Sequence, residues 1–199
     1  MEYNSLEDAE LWNRISQGDE DAFSYVYTFY SGGMYKYGYK FTQQTEQIED
    51  VVQDVFVHLW KSRSRLSIQK SIKFYLLSSF RRELFKRLQA DQRVETLEDY
   101  HSSASWQESI EEILSENQIV LESAAKINSA LDSLSIRQKE AIYLRYIQEL
   151  SYEEISVLMD IQVPSLYNLI FKGIKRMREF LSSSSHTTKI LVLGSFLLG

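Results

Sequence analysis

Along most of this chain the apolar residues recur at the three-and-four spacing of helices that bury one face. The clearest stripe is Val51, Val52, Val55, Phe56, Leu59 and Trp60 within "EDVVQDVFVHLWKSR", where Glu49, Asp50, Gln53 and Asp54 crowd the first turns. It predicts a helix from about Gln47 to Lys61. Upstream, "LEDAELWNRISQGDEDAFSYVYTFYSGGMYKYGYKF" predicts a helix, a short turn at "QGDED", and a second helix with Phe23, Val26, Tyr27 and Tyr30 on one side. Gly32 and Gly33 are expected to bend or interrupt that helix. "SIKFYLLSSFRRELFKRL" predicts a fourth, and four helices make one bundle.

The period then fades in a Ser-rich, acidic stretch that reads as linker. It resumes near Ser123 and runs through Ile127, Ala130, Leu131 and Leu134. Ser135 with Gln138, and Ser151 with Glu154, fit capping boxes, in which a hydroxyl and a side chain three residues on satisfy orphan amides. They predict helices at about 136–148 and 152–159. The break "DIQ" separates the latter from "VPSLYNLIFKGIKRMREFL", where Pro164 is tolerable because it falls in the first turn. Helix, tight turn and longer basic helix outline a helix-turn-helix. In the longer helix Leu166, Ile170, Ile174, Met177 and Leu181 share one side, set to pack on Ile155 and Leu158. Ser165, Tyr167, Asn168, Phe171, Lys172, Lys175 and Arg176 are left outward, polar at the amino-terminal end where base edges are read and cationic further along. A plain helical hairpin with a solvated basic face would share the pattern.

Composition supports an all-α protein of two small helical domains: 199 residues hold one proline and seven glycines. The absence of cysteine removes disulfides and thiolate chemistry. With no amino-terminal signal peptide expected either, the reading is cytoplasmic. His58, His101 and His186 have no metal-site spacing and no phosphate-cradling glycine loop is visible, so no cofactor, metal or catalytic residue is expected and the chain is not read as an enzyme.

Charge changes the picture by its distribution. The formal net charge is −6, yet residues 1–88 carry twelve basic and twelve acidic side chains, and residues 123–199 nine and seven. Residues 89–122 hold nine acids against Arg93 alone. The acidity lies in the linker, between two modules that are neutral to slightly basic. Four segments follow: 1–88, the acidic linker 89–122, 123–182, and a Ser-rich and apolar tail 183–199. The run Ile190 to Leu198 is far short of the roughly 20 residues a membrane-spanning helix needs.

"LDSLSIRQKEAIYLRYIQELSYEEISVLMDIQVPSLYNLIFKGIKRMREFL" resembles region 4 of the bacterial sigma-70 superfamily, the module that binds the −35 promoter element. Independently, "ISQGDEDAFSYVYTFYSGGMYKYGYKFTQQTEQIEDVVQDVFVHLWKSR" followed by "SIKFYLLSSFRRELFKRL" is similar to region 2, and the two-module layout resembles the extracytoplasmic-function (ECF) type. The resemblance implies a sigma factor, a dissociable subunit that brings core RNA polymerase to selected promoters. It implies that the helix matching "EDVVQDVFVHLW" docks on polymerase through Asp50, Gln53, Asp54 and Phe56, with outward carboxylates facing arginines and the aromatic filling a groove. It implies that the following basic stretch holds the opened −10 strand, with Arg63, Arg65, Lys70, Lys73, Arg81 and Arg82 as contacts. It also implies an anti-sigma factor, often membrane-bound in the family, and no small-molecule substrate. The linker, about 34 residues and on the order of 110 Å if extended, could pass through the polymerase interior.

This sequence departs from the family in two places. Many members carry an Arg-Asn pair where this chain has Arg81 and Arg82, and often Lys or Arg at the positions of Tyr167 and Leu169. Two other readings remain open at this point: a helix-turn-helix regulator that binds DNA as a dimer without polymerase, and a helical adaptor acting through protein contacts alone.

Overall fold

A computed structural model describes residues 3–68, 71–92 and 129–183, and every described element is helical. The chain divides into two units, Met1–Ala104 and Ser105–Gly199. Nearly all of the acidic stretch and the tail beyond Ser183 lie outside the described residues.

In the first unit a 3-10 turn, Tyr3–Ser5, leads to α1 (Asp8–Ser16), α2 (Glu20–Tyr39), α3 (Thr45–Ser62) and α4 (Ile72–Gln92). Gly18, at a φ of 96°, turns the chain between α1 and α2. Asp19 then caps α2 by accepting from the Ala22 amide at 2.9 Å. The start of α4 has a local and a distant cap. Ser71 Oγ accepts from the Phe74 amide at 3.0 Å, and the Asp8 carboxylate of α1 accepts from the Ile72 amide at 2.7 Å. First helix and last are thus tied at a point where the backbone has donors to spare.

The helix α2 runs through Gly32 and Gly33 without the interruption that is one of the two outcomes expected there. Each glycine costs roughly 1 kcal/mol in a helix interior. Burying Met34 and Tyr37 just beyond them returns about 1.5–3 kcal/mol each, so packing decides. Gly38 has a positive role: a Cβ there would meet Phe80 Cζ at 2.7 Å and Ile48 Cγ2 at 2.9 Å. Its missing side chain lets α3 and α4 close on α2 around Ile48, Leu59, Leu76, Phe80 and Leu84, all fully buried.

The second unit is smaller. A helical turn at residues 129–132 precedes α5 (Ile136–Tyr146), α6 (Tyr152–Met159) and α7 (Val163–Ser183). Both capping boxes are formed, Ser135 with Gln138 and Ser151 with Glu154. Two residues short of its expected end, α5 closes where the Ile147 and Gln148 amides both bond the Tyr143 carbonyl. Between α6 and α7 Asp160 adopts the left-handed conformation, and the Ile161 amide reaches back to the Ser156 carbonyl at 3.0 Å. Ala130, Leu131, Leu134, Ile142 and Met177 form a core cluster on which Tyr146, Ile174 and Leu181 pack. Ile155, Leu158, Leu166 and Ile170 are buried as well.

Candidate partner and nucleic-acid interfaces

On α3 the outward row Glu49, Asp50, Gln53, Asp54, Val57 and His58 is exposed. Asp50, Gln53 and Asp54 therefore stand where a partner could reach them. Phe56 does not: it is 2% exposed, and the expectation that it fills a partner's groove is corrected. Its ring lies edge-on to Phe23, centroids 6.1 Å apart, and to Tyr27 at 4.9 Å. The reason is its place in the apolar stripe, four residues after Val52 and three before Leu59. Tyr27, 45% exposed, is the aromatic that this part of the surface shows instead.

Asp54 already has a partner within the chain. Arg87 of α4 donates to its carboxylate, and Arg87 Nε also meets Glu83 Oε1 at 3.2 Å, while Lys86 Nζ lies 3.5 Å from Glu83 Oε2. Burial works against the Arg87 charge, but its bonds to Glu83 and Asp54 outweigh that and hold its pKa above the ordinary value. Arg87 also lines an open cleft of about 570 Å³ with Gln44, Gln47, Asp50 and Ala90. Nothing local in the sequence joins Asp54 to Arg87, 33 positions apart, and the pairing was not anticipated.

The cations expected to meet the −10 strand have unlike surroundings. Arg65 and Arg82 are exposed, with Arg82 near the Tyr75 phenol. Arg63 is half-buried; its guanidinium lies 4.0 Å from the Trp60 ring centroid and donates to the Trp60 carbonyl at 2.7 Å. Arg81 sits over Phe85 at 4.7 Å. Lys73 is half-buried, and Lys70 lies outside the described residues. The i,i+3 and i,i+4 partners of Glu83 are Lys86 and Arg87.

On α7 all seven outward residues, Ser165, Tyr167, Asn168, Phe171, Lys172, Lys175 and Arg176, are exposed, and Leu166, Ile170 and Met177 are buried opposite them. Lys175 Nζ lies 3.9 Å from Glu179 Oε1. Tyr167 stacks face to face on Tyr152, the first residue of α6, with centroids 3.9 Å apart and an interplanar angle of 15°. Behind Tyr152 the Arg145 guanidinium sits 5.0 Å from the ring centroid, fixed by a 2.9 Å bond from its Nη1 to the Leu150 carbonyl. Neither Tyr152 nor Arg145 was among the expected site residues; an aromatic directly after an N-cap carries no signal of its own.

Among the described residues no three His, Cys, Asp or Glu side chains gather as a metal group, and no helix is long and apolar enough to cross a membrane.

The described features agree with comparisons along the chain. The family profile for sigma-70 region 2 matches residues 26–94, and that for sigma-70 region 4 matches residues 124–177. The chain is 22% identical over 175 residues to the ECF RNA polymerase sigma factor SigK of Mycobacterium sp. (strain JLS), covering 87% of this chain and 90% of that one. It is 24% identical over 177 residues to the ECF RNA polymerase sigma factor SigW of Bacillus subtilis (strain 168), covering 83% and 92%. Its fold is similar to that of the sigma factor RpoE of Bartonella quintana, solved with the anti-sigma factor NepR, at a TM-score of 0.54 and 16% identity over 80% of this chain and 96% of that one. It is similar also to CnrH, solved with the cytosolic domain of CnrY, at 0.55 and 17% over 89% and 99%. Two family modules in their proper order, over folds that hold a helical bundle and a helix-turn-helix, place this chain in the sigma-70 superfamily as an ECF sigma factor.

Proposed function

We propose that this sigma factor works in the cytoplasm by two-point recognition, with polymerase as the scaffold that adds the two affinities. The segment 1–88 docks on core RNA polymerase and captures the −10 strand, 123–182 reads the −35 duplex, and 89–122 links them. The observation that carries the reading is the outward face of α7, where Asn168 lies between Tyr167 and Phe171 on one flank and Ser165, Lys172 and Arg176 on the other, all exposed. Polar groups near the start of a recognition helix suit base edges, and cations further on suit phosphates.

Polymerase docking falls to Asp50, Gln53 and Asp54, with Tyr27 in the part first given to Phe56. Arg65 and Arg82 are the cations best placed for phosphates of the −10 strand, and the half-buried Arg63 and Arg81 lie against the rings of Trp60 and Phe85. An anti-sigma factor is the expected inhibitor, by analogy with the RpoE pair above. A dimeric regulator acting without polymerase is not favoured. Run-off transcription with purified core polymerase on a genomic-fragment pool tests the scheme. Wild type should add defined start sites that weaken in both Asp50→Ala/Asp54→Ala and Asn168→Ala/Lys172→Ala. Tight fragment binding by the free protein, with no new start sites, would overturn it.

A further inference from the structure

The reading face of α7 carries two large aromatics that the fold leaves uncovered. Phe171 is 66% exposed and Tyr167 51%, one helical turn apart on the same flank. An exposed phenyl beside Lys172 and Lys175 gains nothing from water, and it offers phosphate nothing. Its chemistry fits an apolar atom on a base edge. In the major groove the one apolar group that a base pair presents is the C5-methyl of thymine. Flanking cations would hold the backbone at the distance where such a contact forms.

Tyr167 is also held in place. Its ring stacks at 3.9 Å on Tyr152, and the Arg145 guanidinium, itself bonded to the Leu150 carbonyl, lies 5.0 Å from the Tyr152 ring centroid. A side chain fixed before binding loses less rotamer freedom when it meets its ligand.

We propose that Tyr167 and Phe171 read thymine methyl groups in the −35 element, and that Tyr152, with Arg145 behind it, is a positioning residue for Tyr167. This rests on the proposal that the second unit reads the −35 duplex, and it names what that unit selects.

The test uses the full chain with core polymerase and one promoter recovered from the run-off pool. Its −35 element is rebuilt from synthetic strands with deoxyuridine replacing thymidine one position at a time, which removes a methyl group and leaves every hydrogen-bonding atom. Wild-type holoenzyme should lose about fourfold in promoter affinity at each methyl that is read. Phe171→Ala should bind more weakly and become indifferent to at least one of those replacements; its side chain is solvated, so the fold should survive. Tyr152→Ala should blunt the deoxyuridine effect assigned to Tyr167, and Tyr152→Phe, which keeps the stacked ring, should restore it. Equal binding of thymidine and deoxyuridine promoters by a wild type that still needs its −35 element would overturn methyl reading and leave the sigma function standing. Start sites indifferent to the whole −35 element would instead remove the reading on which the proposal depends.

Discussion

The two units treat surface charge differently. On the first, Asp54 is satisfied by Arg87, which Glu83 shares in turn, so the acidic face of α3 comes with an internal counter-charge. On the second, neither Lys172 nor Arg176 meets a carboxylate within ion-pair distance among the described residues. A partner of α3 must therefore exchange one ion pair for another, which yields little net affinity and favours specificity. A partner of α7 would meet exposed Lys172 and Arg176 with no such counter-charge among the described residues, and polyanion binding there would gain from counterion release. On the roles proposed above, protein recognition at α3 and nucleic-acid recognition at α7 would leave different marks on the free chain.

Three variants probe this contrast, and the largest effect lies under the acidic face. Phe56→Ala should destabilise the first unit by about 3–5 kcal/mol, because a fully packed ring is removed. Two of the chain's three tryptophans, Trp12 and Trp60, belong to that unit, so urea unfolding followed by tryptophan fluorescence should report the loss. A midpoint unchanged from wild type would show that the ring is not part of the core.

Next, Lys172→Ala/Arg176→Ala should weaken holoenzyme binding to a promoter by on the order of tenfold to a hundredfold, and lower the salt slope by about 2. Filter binding across a salt series measures both. An unchanged slope would mean that these cations do not reach phosphate. The smallest effect is expected for Arg87→Met, which should cost at most about 1 kcal/mol, since Asp54 is largely exposed and its pair is screened. With its internal competitor gone, Asp54 should bind core polymerase several-fold more tightly, as read by fluorescence titration. Weaker binding would instead make Arg87 part of the docking face.

The second unit was the more legible in sequence, because its determinants are local. Ser135, Gln138, Ser151 and Glu154 act within one turn, and spacing alone separated Leu166, Ile170 and Met177 from the seven outward residues. The first unit was legible only as far as its period reached. That period had already put Phe56 in the buried stripe, and only the family resemblance drew it outward. The unbroken run of α2 through Gly32 and Gly33, the Asp54 to Arg87 pair and the Asp8 cap on Ile72 depend on residues distant in sequence that only tertiary packing brings together. The Tyr152 to Tyr167 stack lay closer at hand, yet it requires the angle between α6 and α7, which no pattern of apolar residues states.

That angle depends on very little chain. One left-handed residue, Asp160, turns α6 into α7, and Ile161 and Gln162 complete the connection. The geometry of the proposed reading head is thus stored in a connection of three residues and a buried seam, whereas the side chains proposed to read DNA stand on an outward face that, apart from the Tyr167 stack on Tyr152, lies outside that seam. If that face reads the −35 duplex, related promoters could be reached by changing its exposed side chains one at a time while the buried seam stays as it is.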